Sequence, residues 1–480
     1  MLFNSYIYIF LFLPVSVVVY FLLNHYCRKT MVEVFLIFAS LFFYAWWDWR
    51  YLSLLVMSVV FNFFVGNRVA PQSQSVRFNL RQRKTALIIG LAVNLGALAF
   101  FKYADFFIEN LNLMTGLQMR SPGMGFPLAI SFFTFVQIAY LVDRYRGEVE
   151  QEGFVHYSLF ATFFPQLLSG PIVRHKEMGA QYADPEKRRL NWENIYAGLV
   201  IFSMGLFKKV FVADTFAVWA TAGFDHAGSL NLVEAWVTSI SYTLQIYYDF
   251  SGYTDMAIGS ALFFNICLPQ NFNSPYKALN IQDFWRRWHM TLSSWLRDYL
   301  FIPLGGSRGG GFNIYRNLMI TFVLCGLWHG AGWTFVFWGL MHGVAIVVHR
   351  IWSGSGYKMP KFPAWVLTFL FINAGWVFFR APDFQTAISV LSGMINIGSL
   401  QSLDGLKAMF SMAQLIPGEY TATILAWLVG FSGLAFLAGN SNQLIENIQP
   451  AFGWAWITVI LMLMGMPDFQ QPSTFLYFNF

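Results

Sequence analysis

The sequence predicts an all-α, polytopic integral membrane protein folded as a single membrane-embedded domain over residues 1–480, and three observations carry that prediction. Of the 480 residues, 57% are hydrophobic and 11% are charged, and the mean hydropathy is +0.51. Soluble domains carry roughly a quarter charged residues, so this chain has too few charges to cover a water-facing surface. Apolar stretches recur along the whole chain, separated by short polar joints, and Lys and Arg gather in those joints beside the apolar runs.

The first apolar run, Ser5 to Leu23, lacks a basic segment before it and a small-residue cleavage site after it, and Arg28 and Lys29 follow closely. It reads as a retained first span rather than a signal peptide. Further runs fall at about 31–47, 51–67, 85–101, 126–142, 192–215, 231–248, 253–268, 314–328, 331–349, 364–380, 421–438 and 452–466, which predicts roughly eleven to thirteen crossings.

Lys and Arg near span ends are retained on the cytoplasmic side. That rule places Arg28/Lys29, the cluster Arg77/Arg81/Arg83/Lys84, Arg144/Arg146 and the group Arg174 to Arg189 inside, with the N-terminus outside. The last group follows an apolar stretch, Phe154 to Ile172, that is broken by Pro165, Gly170 and Pro171. An ordinary crossing there would put the basic group outside, so the stretch is read as re-entrant. A bilayer tolerates that only where the backbone is buried in protein or lines a cavity.

A net charge of +6 and a pI near 9.1 would suit a nucleic-acid binder, but the excess sits in inside-facing joints. Anionic lipid headgroups and the inside-positive rule account for it, so membrane lipid is an expected partner and nucleic acid is not. The three cysteines, Cys27, Cys267 and Cys325, show no paired spacing, which predicts neither a disulfide framework nor a metal site.

Polar residues concentrate in the middle of the chain, and two Trp-His pairs stand forty residues apart: Trp288-His289 and Trp328-His329. A helix drawn from Asp283 to Leu300 gathers Phe284, Trp285, Trp288, Leu292, Trp295, Leu296 and Tyr299 on one arc about 120° wide. Arg286, His289, Ser293 and Arg297 fall on a neighbouring arc. Two readings stay open: an interfacial helix lying flat with its tryptophans in the headgroup layer, or a polar stripe facing a water-filled cavity.

His329 has no polar face around it, since Val323, Leu324, Leu327, Ala331, Trp333, Phe335 and Phe337 are its neighbours. Ionisable groups at membrane depth are costly and mark functional sites, unless a neutral imidazole is simply hydrogen-bonded to an adjacent helix. Gly326, Gly330 and Gly332 remove bulk around it and let a helix or ligand approach. Cys325, four residues earlier, shares its helix face and is either a thiolate nucleophile or a small packing residue. On one continuous helix His342 falls about 220° from His329, which predicts no cooperation between them. Asp249 and Asp255 flank Gly252 and are buried acids, loop caps or partners for the central arginines, pairing with Arg286, Arg287 or Arg297 being the commoner fate of acids at that depth.

The blocks YYDFSGYTDMAIGSALFF, LPQNFNSPYKALNIQDFWRRWHMTLSSWLRDYLFIPLGG and RNLMITFVLCGLWHGAGWTFVFWGLMHG, with the opening LFNSYIYIFLFLPVSVVVYFLL and the stretch FPQLLSGPIVR, closely resemble the membrane-bound O-acyltransferase (MBOAT) family. Within it, the resemblance is to the bacterial branch that acetylates exported polysaccharides such as alginate; it is densest from about 160 to 345. It implies helices and re-entrant segments around a central cavity, with an acyl donor reached from the cytoplasm. It also implies that His329 in GLWHGAGW is the catalytic histidine and that His289 in RRWHMTLS is the second signature residue. Arg286, Ser293, Arg297, Trp328 and Asp249 are the expected substrate-binding residues around them.

Acyl transfer from a thioester to an alcohol needs a base for the hydroxyl proton and donors for the tetrahedral oxyanion. A neutral histidine in an apolar pocket suits the first task. The resemblance therefore implies acetyl-CoA as donor substrate with no permanently bound cofactor, residence in the bacterial inner membrane, and partners that include a periplasmic SGNH-type acetyltransferase and polysaccharide export machinery. D-alanyl or peptidoglycan O-acyl transfer by the same chemistry is the alternative. A transporter without covalent chemistry is the other class; transporters show two related halves with matched interrupted helices, and no such halves are visible.

Overall fold

The computed structural model describes residues 1–71, 78–121, 123, 125–150, 152–400, 421–445, 451–466 and 474–479. Arg77 of the predicted inside-facing cluster lies outside them. All regular structure among the described residues is helical, and the chain divides into two compact units. The first comprises Met1–Gly205, Tyr253–Gln270 and Ile448–Asn479; the second comprises Leu206–Gly252 and Asn271–Asn447. Among the described residues, six helical segments are long and apolar enough to cross a membrane: Tyr8–Tyr26, Trp49–Val69, Leu80–Thr115, Trp192–Asp225, Trp333–Gly354 and Lys361–Arg380. The protein is therefore a multi-pass, all-α membrane protein.

In chain order the helices are α1 (Leu13–Tyr26), α2 (Lys29–Ala45), α3 (Leu52–Val69), α4 (Leu80–Thr115), α5 (Ile130–Arg146), α6 (Phe154–Thr162), α7 (Phe164–Leu167), α8 (His175–Ala183) and α9 (Trp192–Leu206). They continue as α10 (Asp214–Asp225), α11 (Leu232–Leu262), α12 (Ile281–Trp285), α13 (Met290–Leu296), α14 (Gly310–His329), α15 (Trp333–Gly354), α16 (Lys361–Arg380) and α17 (Phe384–Ile395). The last are α18 (Thr421–Leu437), α19 (Ser441–Ile445) and α20 (Phe452–Met464).

Two boundaries differ from the sequence reading. The predicted spans 231–248 and 253–268 form one helix, α11, with Gly252 in its interior. A lone glycine costs a helix about 1 kcal/mol and does not end it. Helix α4 extends well beyond the predicted 85–101, starting at a capping box in which Asn79 and Gln82 satisfy each other's backbone N–H and ending at Gly116 with φ +71°.

The core of the first unit is aromatic: Phe3, Tyr8, Phe12, Phe43 and Phe164 pack with ring centroids 5.0–6.3 Å apart. The Tyr8 hydroxyl donates to Ser260 Oγ at 2.6 Å. Between α3 and α4, Asn62 and Asn94 exchange reciprocal amide hydrogen bonds at 3.1 and 2.7 Å, so neither buried amide is left to the lipid. The predicted re-entrant stretch is two short helices broken at Phe163, with Pro165 opening α7 and Ser169 left-handed at φ +59°.

An acid-histidine chain runs through the same unit. His156 Nδ1 lies 3.0 Å from Glu33 and its Nε2 lies 3.3 Å from Glu152, while His175 Nε2 lies 3.1 Å from that same Glu152 oxygen. Burial works to raise the Glu152 carboxyl, but the hydrogen bond and charge of His175, with His156 and Lys29, more than offset it and hold it below its ordinary value. A depressed carboxylate contributes stability that is present above its unfolded pKa, about 4.3, and is lost as pH falls through the folded one. The melting temperature of wild type should therefore fall more steeply than that of Glu152→Gln between about pH 5 and pH 3. Parallel curves for the two proteins would show that Glu152 contributes nothing to this acid sensitivity.

In the second unit α14 and α15 form a tight antiparallel hairpin. A Cβ added at Gly326 would come within 2.3 Å of the Phe335 carbonyl oxygen, and one at Gly339 within 2.3 Å of the Phe322 oxygen. The two backbones are in direct contact, the small-residue packing that lipid-embedded helices use. Gly330 accommodates the Phe335 ring at 2.2 Å from where its Cβ would stand. Gly326→Ala should force the helices apart at a cost of about 1–3 kcal/mol, the usual penalty for overpacking. Thermal unfolding in detergent reads the effect, and an unchanged midpoint would mean that the hairpin yields freely.

Candidate active site

The site is built from residues of the second unit. The long helix drawn from Asp283 to Leu300 does not form: α12 ends at Trp285, residues 286–289 turn, α13 runs to Leu296, and a π-helical turn spans Arg297–Phe301. The break is at His289 itself, whose backbone is left-handed at φ +42° and ψ +55°. Few residues other than glycine adopt that conformation, and holding one there costs on the order of 1–3 kcal/mol.

A neighbouring loop holds the turn. Met290 N–H donates to the Asn271 carbonyl at 3.0 Å, and Asn273 N–H donates to the Arg287 carbonyl at 2.9 Å. The Asn271 side chain continues the clamp, its Oδ1 accepting from Thr291 Oγ1 at 2.6 Å and lying 3.3 Å from His289 Nδ1. Because Asn271 Oδ1 is an acceptor, Nδ1–H of His289 is the donor and Nε2 keeps the lone pair. Breaking the helix sends His289 inward to full burial, with its ring 4.7 Å from that of Phe250.

The flat interfacial helix is thereby corrected. Trp285 and Trp288 belong to the protein core rather than to a headgroup layer: Trp288 packs on Phe272, Phe284 and Trp376 with centroids 5.0, 5.6 and 4.8 Å away. The regular polar stripe is lost as well. Arg286 is exposed, Arg297 is exposed and paired with its neighbour Asp298 at 2.6 Å, and half-buried Ser293 donates to the Trp288 carbonyl at 3.4 Å.

His329 is the last residue of α14, and the turn 330–332 folds α15 back beside it. Aromatic rings line its imidazole, among them Trp328 at 4.9 Å, Trp338 at 5.2 Å and Phe379 of α16 at 5.2 Å. The Trp328 ring also lies 6.3 Å from that of His289, so the same indole is in ring contact with both histidines. Both imidazoles are buried, His289 completely and His329 to 3% exposure.

The expectation that His342 stands apart from His329 is also corrected. It assumed one straight helix, whereas the turn at 330–332 brings both imidazoles against the Trp338 ring, at 5.2 Å for His329 and 4.6 Å for His342. His342 Nδ1 accepts from Trp285 Nε1 at 3.2 Å, which ties the DFWRRWH segment to α15 and leaves the proton on Nε2.

Asp249 finds a partner that the sequence reading did not weigh. Lys209, on the π-helical segment Phe207–Ala213, bridges Asp249 and Asp214 at 2.7 Å each, and Lys209 and Asp249 are both buried. Arg287, one of the expected partners, instead holds Asp283 at 2.8 Å. Asp255 is buried in the first unit. Cys325 is buried on α14, one turn before His329. The described residues contain no cluster of three or more His, Cys, Asp or Glu arranged to hold a metal.

Two buried imidazoles, one clamped by Asn271 and the other set among aromatic rings, make this the candidate site of a multi-pass helical membrane protein. Residues 3–381 match the membrane-bound O-acyltransferase family, and the chain belongs to that family of membrane acyltransferases. It is 44% identical to a peptidoglycan O-acetyltransferase of Helicobacter pylori across all of this chain and 98% of that protein. It is 38% identical to a probable alginate O-acetylase of Pseudomonas aeruginosa across 90% of this chain and 82% of the other. A teichoic acid D-alanyltransferase of Bacillus subtilis is 28% identical over 54% of this chain and 69% of its own length.

Proposed function

We propose that this protein takes an acetyl group from acetyl-CoA on the cytoplasmic side of a bacterial inner membrane and passes it across for O-acetylation of an exported cell-envelope glycan. His329 acts as the base. The carrying observation is its position: a buried imidazole at the α14–α15 turn, walled by Trp328, Trp338 and Phe379 and linked through Trp328 to His289. A neutral imidazole within reach of a hydroxyl can take its proton in the transition state.

In the reaction, His329 removes the acceptor hydroxyl proton as the oxygen attacks the thioester carbonyl. The tetrahedral oxyanion collapses, the carbon-sulfur bond breaks, and the departing thiolate takes the proton back from the imidazolium. His289, with its Nδ1–H committed to Asn271, presents the Nε2 lone pair and orients the acceptor by taking a hydrogen bond from its hydroxyl. The remaining apolar helices complete a bundle of roughly eleven to thirteen crossings around a central cavity, with Phe154 to Ile172 dipping in and returning.

Peptidoglycan is the favoured glycan, supported by the Helicobacter pylori relative that aligns over nearly its whole length. An alginate-type exopolysaccharide is the second reading, supported by relatives at 35–38% identity. A periplasmic SGNH-type acetyltransferase would receive the group and complete its transfer. The test uses purified protein in lipid with radiolabelled acetyl-CoA, with and without such a partner, and follows label to protein, partner and glycan. Label that stays on acetyl-CoA under every condition would exclude the proposal, and flux of an unmodified solute would favour transport instead.

A further inference from the structure

A second feature of the same unit has the chemistry of a binding site and lies at the far end of the α14–α15 hairpin from His329. Where α15 ends and α16 begins, a groove of about 560 Å³ opens between the two helices, walled by Val348, Leu367 and Phe371 and edged by Trp352, Lys358 and Lys361. Such a volume lies in the range of small-molecule and lipid sites. Its walls belong to two helices that are long and apolar enough to cross a membrane, and Val348, Trp352 and Leu367 are exposed. The occupant therefore has an apolar body.

The rim is cationic and lacks compensation. From Tyr299 to Pro382 the sequence holds no acidic residue, while Arg308, Arg316, Arg350, Lys358 and Lys361 all fall at this end of the hairpin. Neither Lys358 nor Lys361 has an acidic partner among the described residues. Asp283, just beyond the groove's Asn280 wall, is taken by Arg287 at 2.8 Å. The inside-positive rule puts this end in the cytoplasmic leaflet, where anionic headgroups are found. Aromatic residues such as Trp352 and Tyr357 settle at that same depth.

We propose that this groove is a binding site for an anionic glycerophospholipid of the cytoplasmic leaflet, its acyl chains along Val348, Leu367 and Phe371 and its phosphate between Lys358 and Lys361. The inference needs only the membrane location of the protein and is independent of the acyl-transfer reading. A lysine near a membrane surface contributes enough attraction that removing two should weaken retention about tenfold or more.

The test is native mass spectrometry of the full chain released from detergent. It uses phosphatidylglycerol, phosphatidylethanolamine and phosphatidylcholine with matched chains, on wild type, Lys358→Gln/Lys361→Gln and Ala364→Trp. The expected result is preferential retention of phosphatidylglycerol by wild type, about a tenfold loss in the double lysine variant, and loss of all three lipids in Ala364→Trp, whose added indole fills the groove. Both lysines are exposed, so the double variant should fold, which its elution volume checks. Equal retention of the three lipids, or phosphatidylglycerol retention unaffected by either variant, would overturn the proposal. So would displacement of phosphatidylglycerol by desulfo-CoA, because the groove would then be a site for a nucleotide phosphate.

Discussion

His329→Ala is expected to reduce acetyl transfer by about 10²–10⁴-fold, the usual contribution of a positioned general base, while the protein still inserts and elutes as wild type does. The imidazole sits at the end of α14 among aromatic rings, so alanine leaves a small void rather than an uncompensated charge. Radiolabel transferred from acetyl-CoA measures the effect. Unimpaired transfer by a well-folded variant would remove His329 from the chemistry. A His289→Ala variant with lowered rate but residual turnover would separate orientation from proton transfer, because His289 is anchored by Asn271 while His329 sits at the α14–α15 turn.

Lys209→Met is expected to destabilise the second unit by about 3–5 kcal/mol, because it strands the buried Asp249 carboxylate that the ammonium holds at 2.7 Å. Breaking a buried ion pair costs more than the pair was worth, so the double variant Lys209→Met/Asp249→Asn should recover most of the loss. Thermal unfolding of the single and double variants reads both numbers. If Lys209→Met melts with wild type, the bridge to Asp249 and Asp214 has no structural role, and Asp249 becomes available again as a substrate ligand.

The sequence was legible where one local rule suffices. Apolar runs fell on helices, although two of them share α11, and the hairpin of α14 and α15 appeared as 314–328 and 331–349 with its glycine turn between them. The segment Asp283 to Leu300 was misread because helical periodicity assumes that no residue leaves the helix. His289 does leave it, held left-handed by hydrogen bonds that Asn271 accepts, a residue of the block LPQNFNSPYK whose role no periodicity reveals. Lys209 escaped notice for a related reason. It sits beside Lys208 inside the predicted run 192–215, and only the fold turns one lysine to Asp249 while the other reaches Ser441 at 3.3 Å. His342 was set aside by an angle computed along a helix that the turn at Gly330 interrupts.

The glycine contact between α14 and α15 also sets a mechanical tolerance. Neither helix can slide by one residue without setting a side chain against an opposing carbonyl oxygen, because the contact leaves no room for a Cβ at Gly326 or Gly339. The imidazole of His329, three residues beyond Gly326, is thus referenced to main chain rather than to side chains that sway. A site built in this way keeps its dimensions while the surrounding bilayer thickens, thins or changes composition.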